Sequence, residues 1–176
     1  MRMNGCTATV LSLTMFSAVA LADDYPPRKP GLWELAVQRE GRPVTTMKMC
    51  IDPDTDQLFH KFGTDMAAKH CTRNDIKVSG AIVTTESECK IGNTTITTTA
   101  VINFTGDSAY HSDVKTHIDP PVLGKTDATL TQDGKWTGPC PPDMKPGDFV
   151  MANGMKINVK TLNELRQLIP GNKPAP

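Results

Sequence analysis

The stretch that decides the fold runs from residue 71 to residue 89: Cys71-Thr-Arg-Asn-Asp-Ile-Lys-Val-Ser-Gly-Ala-Ile-Val-Thr-Thr-Glu-Ser-Glu-Cys89. Two β-branched runs flank a Ser79-Gly80 turn signal, which is typical of a β-hairpin. Each cysteine lies nine residues from Gly80, so a three-residue loop at Ser79–Ala81 would place the two cysteines opposite each other. Cross-strand Cβ atoms, about 4.5–5.5 Å apart, are close to what a disulfide needs. We therefore expect a Cys71–Cys89 bridge, which a two-residue loop would spoil by shifting the register.

The first 22 residues have the pattern of a secretory signal peptide. Arg2 gives a positive start, Ala8–Leu21 is apolar but too short to span a bilayer, and Ala20-Leu21-Ala22 is a small-residue cleavage signal. We expect cleavage after Ala22 and a periplasmic or secreted protein. Losing Arg2 leaves 19 − 1 = 18 basic residues against 19 acidic ones, so the overall charge does not favour nucleic acid or anionic lipid. No later apolar run has transmembrane length.

Four cysteines remain after cleavage: Cys50, Cys71, Cys89 and Cys140. An even number in an exported chain predicts two disulfides, with three possible connectivities. If the hairpin pairs Cys71 with Cys89, Cys50 and Cys140 are left to form the second bridge. The main alternative joins Cys50 to Cys71 and Cys89 to Cys140. Zinc is a weaker use of the four thiols, because no two of them are spaced as C-x-x-C.

The chain from residue 31 to residue 140 is predicted to be a single β-rich domain. An extended, proline-rich lead-in (23–30) precedes Gly31–Glu40, where Trp33, Leu35 and Val37 alternate with polar residues as in a half-buried strand. Asp52-Pro53 predicts the start of a short helix that ends at Gly63. About seven antiparallel strands joined by tight turns make a meander, and we expect it to curl into a half-barrel or barrel.

Composition changes after Cys140, so residues 141–176 are predicted to be a C-terminal extension. Asn153-Gly154 favours one small extra hairpin. Thr161-Leu-Asn-Glu164 matches a capping box and predicts a second short helix whose apolar face carries Leu162, Leu165 and Ile169. The tail Asn172–Pro176 is expected to be disordered.

Several landmarks together resemble the domain of unknown function 3617 family of exported bacterial proteins. They are Lys29-Pro-Gly-Leu-Trp-Glu34, Met49-Cys-Ile-Asp-Pro53, Ile76-Lys-Val-Ser-Gly80 after Cys71, then Cys89 and Gly138-Pro-Cys140. The resemblance covers roughly Pro30 to Cys140, and the C-terminal extension goes beyond it. It implies an exported, β-rich, disulfide-bearing protein of one domain, and it supplies no catalytic residues.

No catalytic set and no firm metal site emerges from the residue pattern. His111-Ser112-Asp113 has the residue types of a hydrolase triad, but neighbouring strand residues point to opposite faces. His111 and His117 share a face about 20 Å apart, too far to bind one metal ion directly. Methionines such as Met47 and Met49 beside Cys50 leave a thioether copper site open, although methionine also fills irregular cores.

The sequence therefore favours a non-enzymatic binding or accessory protein without a cofactor. Its partner would be a small apolar or amphipathic ligand, or an envelope protein, held on the curved sheet. Trp33, Leu35, Met47 and Met49 are the predicted ligand face. The alternatives are a periplasmic Met/His copper or other metal binder, and a structural envelope protein that docks through an exposed face of the C-terminal helix.

Overall fold

One antiparallel sheet of nine strands forms the body of the protein in the computed structural model, which describes residues 25–168. The sheet order is β3-β4-β5-β6-β7-β1-β2-β8-β9, and its two outermost strands do not pair, so the sheet stays open. The mainly β, curled-sheet prediction is confirmed, whereas a closed barrel is not formed by the described residues. The strands are β1 Gly31–Arg39, β2 Thr45–Ile51, β3 Cys71–Ser79, β4 Ile82–Ile91, β5 Thr94–Thr105, β6 Ala109–Val122, β7 Lys125–Gly138, β8 Asp148–Val150 and β9 Lys156–Asn158.

Two helices complete the fold: α1, Pro53–His70, between β2 and β3, and α2, Val159–Leu168, after β9. Helix α1 begins as expected, because Asp52 and Thr55 cap it reciprocally. The predicted end at Gly63 is wrong. A single glycine costs a helix about 1 kcal/mol, and Lys69 and His70 in the last turn favour the longer helix. Helix α2 starts two residues before the predicted capping box. The predicted signal peptide, Ile169 and the predicted tail lie outside the described residues.

The hairpin between the two cysteines forms, but not with the predicted loop. Ser79 pairs with Ile82 across a two-residue turn at Gly80-Ala81, which would shift the register by one residue. A β-bulge between Cys71 and Arg73 absorbs that shift, so Cys71 still faces Cys89. The disulfides are Cys71–Cys89 and Cys50–Cys140.

The core is centred on β1 and β2. Trp33, Leu35 and Val37 are at most 4% exposed and alternate with half-exposed residues, as the period-two pattern of β1 predicts. Met49 and Ile51 of β2 join them, and Phe59 of α1 packs against this cluster. The face of the sheet that carries this core and α1 is called the inner face below.

The strand register separates two ends of the sheet, the cavity end and the tip end. The cavity end contains the start of α1 and the β3–β4 and β5–β6 turns, and it holds Cys50–Cys140. The tip end contains the β1–β2, β4–β5 and β6–β7 turns, and it holds Cys71–Cys89.

Candidate functional site

The lead-in before β1 is pinned between α1 and the sheet at the cavity end. The backbone N–H of Lys29 donates to the carbonyl oxygen of Asp107 at 2.8 Å. Two indole N–H groups then hold the following backbone: Trp33 Nε1 donates to the Lys29 carbonyl and Trp136 Nε1 to the Pro30 carbonyl, both at 2.9 Å. A segment whose prolines prevent a regular ladder is thereby fixed by side-chain donors.

A buried ion pair joins this lead-in to α1. Arg28 is 9% exposed and Asp56 is 6% exposed. Arg28 Nε donates to Asp56 Oδ1 at 2.7 Å, Nη2 lies 2.5 Å from the same oxygen, and the Arg28 backbone N–H donates to Oδ2 at 3.2 Å. The guanidinium also lies 5.7 Å from the ring centroid of Trp33, within cation–π range. Each charge is thus compensated, as burial requires.

His60 lies one helical turn after Asp56 and borders the ion pair. Its ring stacks on Tyr25 with 4.0 Å between centroids and 13° between planes. Its Nε2 is buried, lies 3.6 Å from Asp56 Oδ1 and has no hydrogen-bond partner among the described residues. Burial, and next the nearby positive charge of Arg28, lower the pKa of His60 to about 4, although Asp56 acts in the opposite direction. The imidazole is therefore neutral at pH 7.

Tyr110 forms the floor beneath the guanidinium. It faces Gly134 across the β6–β7 pair, and a Cβ at Gly134 would come within 2.1 Å of the Tyr110 ring. Only glycine leaves room for the ring to lie there. Gln132 Nε2 donates to the Tyr110 hydroxyl. Burial raises the pKa of Tyr110, so it remains a neutral phenol.

A cavity of about 1050 Å³ opens between the lead-in, α1 and β3 at the cavity end. Apolar side chains make much of its wall, and six charged side chains, three of each sign, line it as well. The apolar group is Tyr25, Pro27, Pro30, Pro53, Leu58 and Ile76, and the charged group is Arg28, Lys29, Lys61, Asp54, Asp56 and Asp107. Gln57 and Asn74 add amide groups. Ligand cavities commonly have this size and this mixture of apolar walls with a few polar groups.

The predicted ligand face does not line this cavity. Trp33, Leu35 and Met49 are 0–4% exposed, and Met47 is partly buried against them. None of the four lines the smaller cavity either. The alternation of β1 correctly indicates which side chains face inward, but these side chains form the core, against which Phe59, Tyr110, Trp136 and Phe149 pack. The residues that do surround the cavity come mainly from the lead-in and α1, with Asn74 and Ile76 from β3 and Asp107 from the β5–β6 turn. The Asp52-Pro53 helix start was the nearest sequence signal to them.

The residues weighed for catalysis or metal binding are either buried in the core or paired with side chains on the exposed face of the sheet. His111 Nδ1 contacts Asp133 at 2.7 Å, and His117 Nδ1 contacts Asp127 at 2.9 Å. Ser112 is buried on the inner face, whereas His111 and Asp113 share the opposite, exposed face, where His111 Nε2 lies 3.4 Å from Asp113 Oδ2. Met49 and Met144 are core residues. Within residues 25–168, no group of three or more His, Cys, Asp or Glu side chains could hold a metal ion.

A smaller cavity of about 370 Å³ lies at the tip end, beneath the β1–β2 turn. Arg39, Glu40 and Arg42 line it from that turn, and Lys125 and Asp127 line it from β7.

In the described part of the chain, neither helix is long and apolar enough to cross a bilayer.

Comparison with known proteins gives one match. The model of the family described as "Protein of unknown function (DUF3617)" matches residues 28–140. No curated protein and no solved structure matches the chain. The matched segment begins at Arg28 and ends at Cys140, so it includes the buried arginine and both disulfides.

Proposed function

We propose that this chain, which belongs to the DUF3617 family, is an exported, non-enzymatic binding protein whose ligand occupies the cavity between α1 and the sheet. The observation that carries the proposal is the cavity of about 1050 Å³ at the cavity end. The two disulfides support an exported protein, because such bridges persist in oxidising compartments.

The lining favours a ligand with an apolar body and an uncharged or zwitterionic polar group. Arg28 and Asp56 neutralise each other, and Lys61 Nζ lies 3.6 Å from Asp65 Oδ1. With three cations and three anions around the cavity, a strongly charged ligand would find no net complement. Tyr25, Leu58 and Ile76 offer the apolar contact area.

Intact mass spectrometry tests the proposal on protein expressed from the full sequence and purified after export. The mass of the denatured protein should equal that of a chain that begins at Asp23 and contains two disulfides. Under native conditions we expect an additional small-molecule mass on part of the material. A denatured mass that retains residues 1–22 would contradict export.

A binding titration with N-phenyl-1-naphthylamine, an uncharged apolar fluorophore, tests the location. Ile76→Trp should fill the cavity from β3 and weaken probe binding about tenfold, a change of about 1.4 kcal/mol. The matched control is Val101→Trp, because Val101 is 40% exposed and lies on the side of β5 that faces away from the inner face and the cavity. Equal binding by both variants would contradict a site between α1 and β3.

A further inference from the structure

The most exposed large apolar side chains of residues 25–168 collect at one end of the sheet. Leu123 is 98% exposed, Ile91 62% and Val44 57%, and all three lie in or next to turns at the tip end. Val122, at 46%, adjoins Leu123. Single exposed apolar residues are ordinary on a protein surface, and Leu165 and Met155 elsewhere in the fold are 55% and 50% exposed, but several such residues at one end of a sheet favour an interaction site there.

The β6–β7 hairpin carries two of these residues beyond its neighbours. On one side, pairing with β5 ends at Asp119, and on the other side, pairing with β1 ends at Leu130. The backbone N–H of Glu40, in the β1–β2 turn, still donates to Thr129, but residues 120–128 pair with no neighbouring strand of the described chain on either flank. The turn of this segment, Leu123-Gly124, is therefore the part of the sheet that reaches furthest.

Leu123 is also an unfavourable residue for its own backbone. Its φ is +52°, and it is the one non-glycine residue with positive φ in the described chain. Two-residue hairpin turns of this kind ordinarily place Asn or Asp where Leu123 stands. A leucine there is strained and exposed at once, and nothing inside the fold gains from it. Such an outlier points to a role outside the molecule.

Basic side chains surround this apolar turn. Arg39, Arg42, Lys90 and Lys125 are exposed at the tip end, and none of them forms an ion pair among the described residues. The carboxylates at this end are Glu40, Glu88, Asp119 and Asp127, of which Glu88 accepts from Thr72 and Asp127 is bonded to His117 and Thr126. Four cations thus stand with four carboxylates at this end, but in the described part of the chain none of these cations is engaged in an ion pair.

We propose that the tip end docks on an anionic lipid surface, with Val122 and Leu123 entering the interface and Arg39, Arg42 and Lys125 facing the phosphates. An apolar turn with flanking cations matches both components of such a surface, since acyl chains take the leucine and anionic headgroups attract the basic residues. Docking here leaves the cavity, at the opposite end of the sheet, free to face away from the membrane.

Vesicle flotation tests this surface with the purified protein and two kinds of vesicle. We expect binding to phosphatidylcholine vesicles that contain phosphatidylglycerol, weak binding to phosphatidylcholine alone, and weakened binding in high salt. Leu123→Asn should weaken binding about tenfold, since it removes the inserted side chain. Because Asn suits positive φ, the variant should be at least as stable as wild type, so a loss of binding would not reflect unfolding.

Two further variants make the result specific. Ile82→Asn removes a 45%-exposed isoleucine at the cavity end and should leave vesicle binding unchanged. The double variant Arg42→Glu and Lys125→Glu should lose binding by tenfold or more, since each cation near the surface contributes about 1 kcal/mol. If wild type stays off the vesicles, or if Ile82→Asn loses as much binding as Leu123→Asn, the proposal is overturned. The first result would leave a protein as the partner of the tip.

Discussion

The two ends of the sheet treat polar and apolar groups in opposite ways. At the cavity end, Arg28 and Asp56 are nearly inaccessible, and a buried ring nitrogen of His60 has no hydrogen-bond partner within residues 25–168. At the tip end, Leu123 is 98% exposed on a backbone that disfavours it. Departures from ordinary burial concentrate where proteins use their surfaces. The contrast underlies the two proposals, a ligand bound at the cavity end and a lipid surface contacted by the tip end.

The disulfides give the largest expected effect and compare the two ends directly. Replacing both cysteines of Cys50–Cys140 by alanine opens a 90-residue separation, and replacing those of Cys71–Cys89 opens an 18-residue one. Chain entropy predicts losses in unfolding free energy of about 5 and about 3 kcal/mol. Urea unfolding of the two double variants measures both, and a larger loss for Cys71–Cys89 would contradict this ranking.

The buried ion pair should give the next largest effect. Asp56→Ala leaves the Arg28 guanidinium buried without its counter-charge and should lower the unfolding free energy by about 3–5 kcal/mol. Glu34→Ala is the control, because Glu34 Oε1 lies 3.6 Å from Lys48 Nζ and both side chains are about half exposed. This substitution should lower the unfolding free energy by less than about 1 kcal/mol. Similar losses in urea unfolding for both variants would show that the Arg28–Asp56 pair is not buried in solution.

His60 predicts a pH dependence specific to the cavity end. Its pKa is lowered to about 4 in the folded protein, against about 6.5 when unfolded. The unfolded chain therefore binds the proton more readily, so stability is full above pH 6.5 and falls as the pH drops toward 4. The loss should be on the order of 2 kcal/mol between pH 7 and pH 5.

The measurement is urea unfolding at both pH values for wild type and His60→Gln. The variant should lack this part of the pH dependence. His111→Gln is the matched control, because Asp133 raises the pKa of His111, the opposite direction. If His60→Gln loses as much stability on acidification as wild type, His60 is not buried and neutral as the structure has it.

The smallest expected effect is at the tip, where a substitution should stabilise. Leu123→Asn relieves the positive-φ leucine and should raise the unfolding free energy by about 0.5–1 kcal/mol. Leu123→Val is the control, since a β-branched residue fits this conformation even less well and should destabilise. Thermal unfolding resolves both changes, and an asparagine variant less stable than wild type would argue that Leu123 packs within the fold.

Local sequence patterns predicted the strands well because alternation is a property of each strand alone. The prediction that Cys71 pairs with Cys89 was correct, but the two residues face each other only because a bulge beside Thr72 restores the register, and no local pattern signals that bulge. The length of α1 was underestimated because Gly63 is a weak breaker inside a helix whose ends are favourable. These errors concern one register shift and the last seven residues of α1, Thr64–His70, and they leave the mainly β architecture unchanged.

The candidate site was harder to predict because it depends on contacts between distant segments. The period-two pattern places Trp33 and Leu35 inward, but it cannot say whether a ligand or other side chains of the protein cover them. Arg28 lies in a proline-rich lead-in without periodicity, and its importance appears only when Asp56, 28 residues later, is brought beside it. Leu123 stands in a loop whose sequence, Pro-Pro-Val-Leu-Gly, gives no sign that the turn is unsupported on both sides.

The most direct test of the ligand cavity is a backbone amide chemical-shift titration with N-phenyl-1-naphthylamine. We expect the perturbed amides to cluster around the cavity, at Arg28, Leu58, His60, Asn74 and Ile76. The amide shifts of residues 122–124 should change little. Perturbations centred on the tip end, or spread evenly over the sheet, would contradict a binding site between α1 and β3.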